Sequence, residues 1–176
     1  MPGKENYRNK LGPPVGIPPK LPPKAFGPRP SWRCGPAGGE IVWEWHIWDH
    51  LVQDYDATKA NFGAVPSNVG KLDLNFIGAG QSPSANPNWL HLNSLDYQAG
   101  RDEILMGSRL LSEIRVIPHG PGRSGDFLYR WGNAKVYRHG SAADQKLFFQ
   151  HHARWIPDGH PGAGHVLILN NGVDRG

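Results

Sequence analysis

His91, Arg109 and the pair His151-His152 are the residues whose types and spacing suit group transfer in this chain. His91 stands in Trp-Leu-His-Leu-Asn-Ser, Arg109 in a Ser-Arg pair, and His151 follows Gln150. A neutral imidazole is a nucleophile or a base near pH 7. A guanidinium is a permanent cation whose fork of N–H groups matches an oxyanion. A histidine and a fixed cation side by side suit an anion, and a sulfate or phosphate ester fits that description. Taken singly, the same residues have plainer readings. His91 would be a packed or surface histidine, Arg109 a solvated charge at a strand end, and His151-His152 only a little above background as a metal or catalytic pair. His46 and His50, at i and i+4 ahead of Asp54 and Asp56, would bind a metal only on a helix and with a third ligand. No third ligand is evident in the sequence, so a structural or capping role is favoured for them.

These side chains need a frame that brings them together. Residues 89–109, WLHLNSLDYQAGRDEILMGSR, read as two short strands joined by a turn at 98–102. Leu90, Leu92 and Ser94 alternate with His91, Asn93 and Leu95, and residues 103–108 are apolar in the middle. Antiparallel pairing of these strands would bring His91 and Arg109 to one edge of a sheet. Two further strands follow closely, at 112–117 and 126–131, and complete a four-stranded antiparallel meander. The β-branched Ile114, Val116 and Ile117, with Pro118 behind them, favour strand over helix. Upstream, residues 40–45 form the first expected strand. Residues 48–55 could make a short helix with Asp49 in its first turn. A long Gly/Pro/Asn/Ser-rich connection then runs to residue 88, of the kind that is usually functional or an insertion.

The chain's positive charge is unevenly placed. Residues 1–33 hold nine of the 17 prolines and seven Lys/Arg against Glu5 alone, a local charge of +6. The rest holds 12 Lys/Arg against 14 Asp/Glu, or −2, so the formal +4 of the whole belongs to the leader. No nucleic-acid footprint is read in the near-neutral body. Pro13-Pro14, Pro18-Pro19 and Pro22-Pro23 favour extended polyproline II, which reads as a solvated tail or a PxxP-type ligand. Cys34 is the single cysteine, so neither an internal disulfide nor a multi-cysteine zinc site is available. No apolar run approaches a membrane span, and the proline-broken first 30 residues carry no secretory h-region.

An internal repeat extends the sheet. Residues 39–45, GEIVWEW, match 125–131, GDFLYRW, position by position in residue type. The hairpin containing His91 and Arg109 recurs as His151-His152-Ala153-Arg154-Trp155, a Pro-Asp-Gly turn, and His165-Val166-Leu167-Ile168-Leu169. Repeated four-stranded units are the signature of a β-propeller. The expectation is an all-β fold: a partial β-propeller of about two to three blades over residues 39–176, behind a disordered proline-rich leader over 1–38. Its open sheet edges would promote homo-oligomers or aggregation.

Five motifs in order carry a more specific likeness: GGEIVWEWHIWDHLVQDYDATKANFG, NWLHLNSLDY, EILMGSRLLSEIRVI, GDFLYRWGN and AADQKLFFQHHARWIPDG. Over roughly residues 30 to 172 the chain resembles the bacterial arylsulfotransferases that use no nucleotide sulfate donor. The resemblance implies a six-bladed propeller as the parent fold, with the active site in its central channel. It implies transfer of a sulfuryl group from a phenolic sulfate ester to a phenol by a ping-pong route through sulfohistidine, with no cofactor and no metal. His151 falls at the nucleophile, His91 at a second active-site histidine and Arg109 at the active-site arginine. Trp89 and Trp155, flanking the histidines, are candidates for stacking the aromatic acceptor. Two departures stand out. His152 occupies a position where relatives tend to have Asp, and no His-His-Asp-type motif precedes Gly39. The chain therefore reads as a fragment covering about half of a propeller. Two readings of it stay open, an arylsulfotransferase and a propeller fragment or binding module without turnover. Relatives are commonly exported, so that too is expected of the parent protein.

Overall fold

The computed structural model describes residues 31–34, 43–76 and 88–173. The proline-rich residues 1–30, and the expected start of the first blade at 39–42, lie outside them. β1 (Ser31–Cys34) pairs antiparallel with β2 (Trp43–His46), with Ser31 opposite His46 and Cys34 opposite Trp43. This strand falls inside the stretch expected to be an unstructured leader. The expected helix over 48–55 is not formed. A single 3-10 turn (Ile47–His50) runs straight into β3 (Leu51–Val52). Leu51 and Val52 are both buried, so the segment lacks the polar face that an exposed helix would need.

β3 pairs in parallel with β4 (Leu72–Asp73), a contact that nothing in the pattern of these residues announces. The connection between them is held by Gln53, whose side chain is fully buried. Its Oε1 accepts the N–H groups of Tyr55 and Asp56, and its Nε2 donates to the Asp56 carbonyl. Arg138 then ties the two ends together through Asp54 and Asp73. The described part of this long connection is therefore a packed piece of the fold.

The central sheet is the expected meander, in the order β5 (Leu92–Gln98), β6 (Glu103–Ser108), β7 (Glu113–Pro118) and β8 (Tyr129–Trp131), antiparallel throughout. Its first strand starts three residues later than the alternation suggests. A bulge between Leu92 and Ser94 also breaks the strict two-residue period there. Gly107 sits opposite that bulge, where an added Cβ would meet the Ser94 hydroxyl and force it to turn aside. β9 (His151–Trp155) and β10 (Val166–Leu169) form the second expected hairpin, with Val166 opposite Trp155. Among the described residues β10 pairs with β9 alone, and Leu167 and Leu169 are exposed. The chain is thus an all-β protein.

Both faces of the central sheet are covered, which explains why β6 and β7 read as nearly continuous apolar runs. One face packs Ile104, Met106 and Ile117 against Trp45, Ile47, Leu72, Leu74 and Phe127. The other packs Leu105, Ile114 and Val116 against Leu147 and Ala153, with Trp155, Val166 and Ile168 at the margin. One charged group lies inside the first of these layers. Glu113 and Arg115 are fully buried, and Arg115 donates to Glu113 Oε2 from Nε (2.9 Å) and Nη2 (2.6 Å). Arg130 reaches the same carboxylate and also donates to the Val69 and Lys71 carbonyls. The Phe127 ring lies 5.2 Å from the Arg115 guanidinium and 5.1 Å from that of Arg130. Burial pushes Arg115 down to about 10, with Arg130 adding to the fall and Glu113 opposing it. Glu113→Gln would leave two cations facing a neutral amide, so a loss of about 3–5 kcal/mol is expected. Urea unfolding should show it as a lower midpoint with an unchanged slope.

Candidate active site

β5, β6 and β9 deliver His91, Arg109 and His151 to one end of the strands. His91 lies immediately before β5 and Arg109 immediately after β6, and the Arg109 N–H donates to the His91 carbonyl at 3.0 Å. The hairpin register therefore places them side by side, as the sequence predicts. His151 opens β9, which packs beside β5. Asn93 Nδ2 donates to the Gln150 carbonyl at 2.8 Å, and Asp96 Oδ2 accepts the Trp155 N–H at 2.7 Å. The rings of His91 and His151 stand edge-to-face with centroids 6.5 Å apart. All three residues are half-buried. His152 instead is exposed, and of the paired imidazoles it is His151 whose ring meets His91.

The backbone is unusual at this end. His91 (φ 41°), Phe149 (φ 53°) and His152 (φ 56°) all adopt the left-handed region. That region is costly for bulky residues, and such conformations cluster at functional sites. His91 Nδ1 lies 2.7 Å from the Asn88 amide. His151 Nδ1 lies 3.1 Å from the Phe149 carbonyl and 2.9 Å from the Asn171 amide. A carbonyl can only accept, so Nδ1 must carry the proton to bond with Phe149. The Asn171 amide can turn over to present its oxygen to the same N–H, whereas the backbone carbonyl cannot turn. This tautomer leaves the lone pair on Nε2. The Arg109 guanidinium lies 4.5 Å from the centre of the Phe149 ring.

Desolvation holds the His91 imidazole below its ordinary 6.5, and the positive charge of Arg109 and the neighbouring His151 add to the effect. His91 is therefore predominantly neutral at pH 7.

Asn88, Phe149, Gln150 and Asn171 escaped notice as site residues. Only Gln150 carried a signal, its place beside His151. The two tryptophans expected to stack an acceptor do not line this end. Trp89 is buried in the first core layer with its ring against Trp48, because position 89 precedes the strand and turns inward. Trp155 closes β9 at the far end, with Arg101 over its ring at 5.4 Å. His46 and His50 do not act as a pair. His46 meets Glu44, while His50 stacks on Trp45 and bonds Asp126 at 2.7 Å. The structural reading of His50 is the one its surroundings fit.

The fold is all-β, and it gathers two imidazoles and a guanidinium at one end of its strands. The family described as Arylsulfotransferase (ASST) matches residues 37–176, and the chain belongs to that family. No curated protein and no solved structure matches it. No helix among the described residues is long and apolar enough to cross a membrane.

The depressed His91 value gives a titration test. Carbon-bound imidazole protons followed by NMR should place His91 below 6.5, and Arg109→Gln should move it upward. Well above 6.5 His91 is unprotonated in both the folded and the unfolded chain, and stability does not change with pH on its account. As pH falls below 6.5 the unfolded chain takes the proton first, so stability drops until the folded-state value is passed.

Proposed function

We propose that this chain transfers a sulfuryl group from a phenolic sulfate ester to a phenol acceptor through a sulfohistidine on His151. The observation that carries the reading is the edge-to-face pairing of His91 and His151 at 6.5 Å beside Arg109. The Nε2 lone pair of His151 attacks sulfur. The sulfur–oxygen bond to the aryl group breaks, and its electron pair leaves with the phenolate. A phenol then attacks the sulfohistidine sulfur, its proton passes to neutral His91, and the sulfur–nitrogen electrons return to Nε2. Like phosphoryl transfer, this chemistry needs positioning and charge stabilisation above all. Arg109 matches the equatorial oxygens with a permanent charge. Neutral His91 binds the group and serves the acceptor as a base, a role typically worth about 10²–10⁴-fold.

The same reading takes the four-stranded meander and the β9–β10 hairpin as successive blades of a partial propeller over residues 39–176. Support comes from the stacking of that hairpin on one face of the meander, with the reacting groups at one end of the strands. No cofactor enters the scheme.

Incubation with 4-methylumbelliferyl sulfate under alkaline quench, followed by intact mass, tests the chemistry. One sulfuryl adduct is expected on the wild-type chain and none on His151→Ala. A folded wild-type chain that gains no adduct would overturn the reading. His91→Ala should slow acceptor-dependent turnover by about 10²–10⁴-fold. Turnover should also fall as pH drops through the depressed His91 value, because the protonated imidazole cannot take the acceptor's proton.

A further inference from the structure

We propose that Phe149 is the positioning residue of this site, holding the cation with its ring and the nucleophile with its carbonyl. The roles of Arg109 and His151 in sulfuryl transfer are those proposed above, and the inference rests on them.

Three observations meet at this residue. Its ring is buried, 5% exposed, and lies 4.5 Å from the Arg109 guanidinium carbon. Its carbonyl lies 3.1 Å from His151 Nδ1. Its φ is +53°, where glycine would be free of strain and a side chain with a Cβ is not. A strained phenylalanine at such a point implies that the ring has a use there that glycine lacks. The left-handed turn accounts for both contacts. It sends the carbonyl toward the residue two places on, while the side chain stays in the interior beneath Arg109. The Phe149 N–H donates to the Ser112 hydroxyl at 3.2 Å and pins the turn from the other side. Ser112 itself adopts φ +51° in the connection that follows Arg109, so the two left-handed turns brace each other.

The aromatic face gives Arg109 a platform that attracts its charge without neutralising it. A carboxylate in the same place would also fix the guanidinium, but it would cancel the field that the sulfuryl oxygens require. Arg109 has a second effect that can be read without catalysis, because its charge helps to hold the His91 imidazole neutral. If the ring keeps Arg109 beside His91, removing the ring must release part of that effect.

The test is the His91 titration by NMR in the full chain, in four proteins: wild type, Arg109→Gln, Phe149→Leu and Phe149→Tyr. Arg109→Gln sets the full upward shift. Phe149→Leu is expected to recover at least half of it, and Phe149→Tyr, which keeps the π face, is expected to titrate with wild type. Near-UV circular dichroism establishes that each variant is folded, and Phe149→Met replaces the leucine variant if that one is not. A folded Phe149→Leu or Phe149→Met that titrates with wild type overturns the proposal. So does a Phe149→Tyr that shifts as far as the leucine variant. The adduct experiment remains separate. A shift without any sulfuryl adduct defeats the transferase reading alone, whereas an adduct without the shift defeats only the role of Phe149.

Discussion

Gln150 donates both hydrogens of its side-chain amide into the interior, to the carbonyls of Ser108 (3.0 Å) and Glu113 (2.9 Å). Those carbonyls lie at the end of β6 and the start of β7, on either side of the turn that carries Arg109. The same residue's own carbonyl accepts from Asn93 on β5. One fully buried side chain and its peptide thus fasten three strands at the end where His91, Arg109 and His151 stand. Buried carbonyls without partners are expensive, so the registers of β9 against β5 and of β6 against β7 are coupled through Gln150. Its neighbours Phe149 and His151 inherit their places from that clamp. A hairpin slipped by one residue would turn His151 away and leave the two carbonyls bare.

A second constraint works from the opposite face. The Glu113–Arg115–Arg130 group begins at the residue whose carbonyl Gln150 engages. Glu113 therefore meets the site through its backbone and the buried ion group through its side chain. Such a group adds little net stability over an apolar core, but it is intolerant of displacement because each charge needs the others. The central sheet is held in register from both faces, with apolar layers supplying the bulk of the burial and polar clamps supplying the alignment. This arrangement suits a site that works by positioning. Imidazole and guanidinium are ordinary groups, and what makes them reactive is a fixed separation and a controlled protonation state.

The strand content and much of the topology were legible in the sequence because they depend on short-range patterns. Residues 103–108 read as a strand, the periodicity of 110–117 is ambiguous by itself and only its β-branched residues and Pro118 favour strand, and the turn at 98–102 pairs His91 with Arg109 by register. The echo of that hairpin in residues 151–169 correctly announced a second one. The helix over 48–55 failed because a short run around Ile47, Leu51 and Val52 suits a buried turn and strand as well as a helix. The parallel pair of β3 and β4 could not be foreseen, since its partners meet through tertiary packing. Stacking assigned to Trp89 and Trp155 failed because nearness along the chain says nothing about the face on which a ring emerges.

The sequence by itself determined which candidate imidazoles and guanidinium the chain carries, that the fold would be built of strands, and that one hairpin would place an imidazole beside a cation. Those properties follow from residue type and from local periodicity. Only the tertiary structure decided that His151 rather than His152 faces His91, that Phe149 lies beneath Arg109, and that Asn88 and Asn171 attend the two imidazoles. These contacts join residues that are distant in the chain, or they hang on single left-handed backbone angles. Neither kind leaves a periodic trace. They are set by the packing of one hairpin on another and by the hydrogen bonds that cross between them.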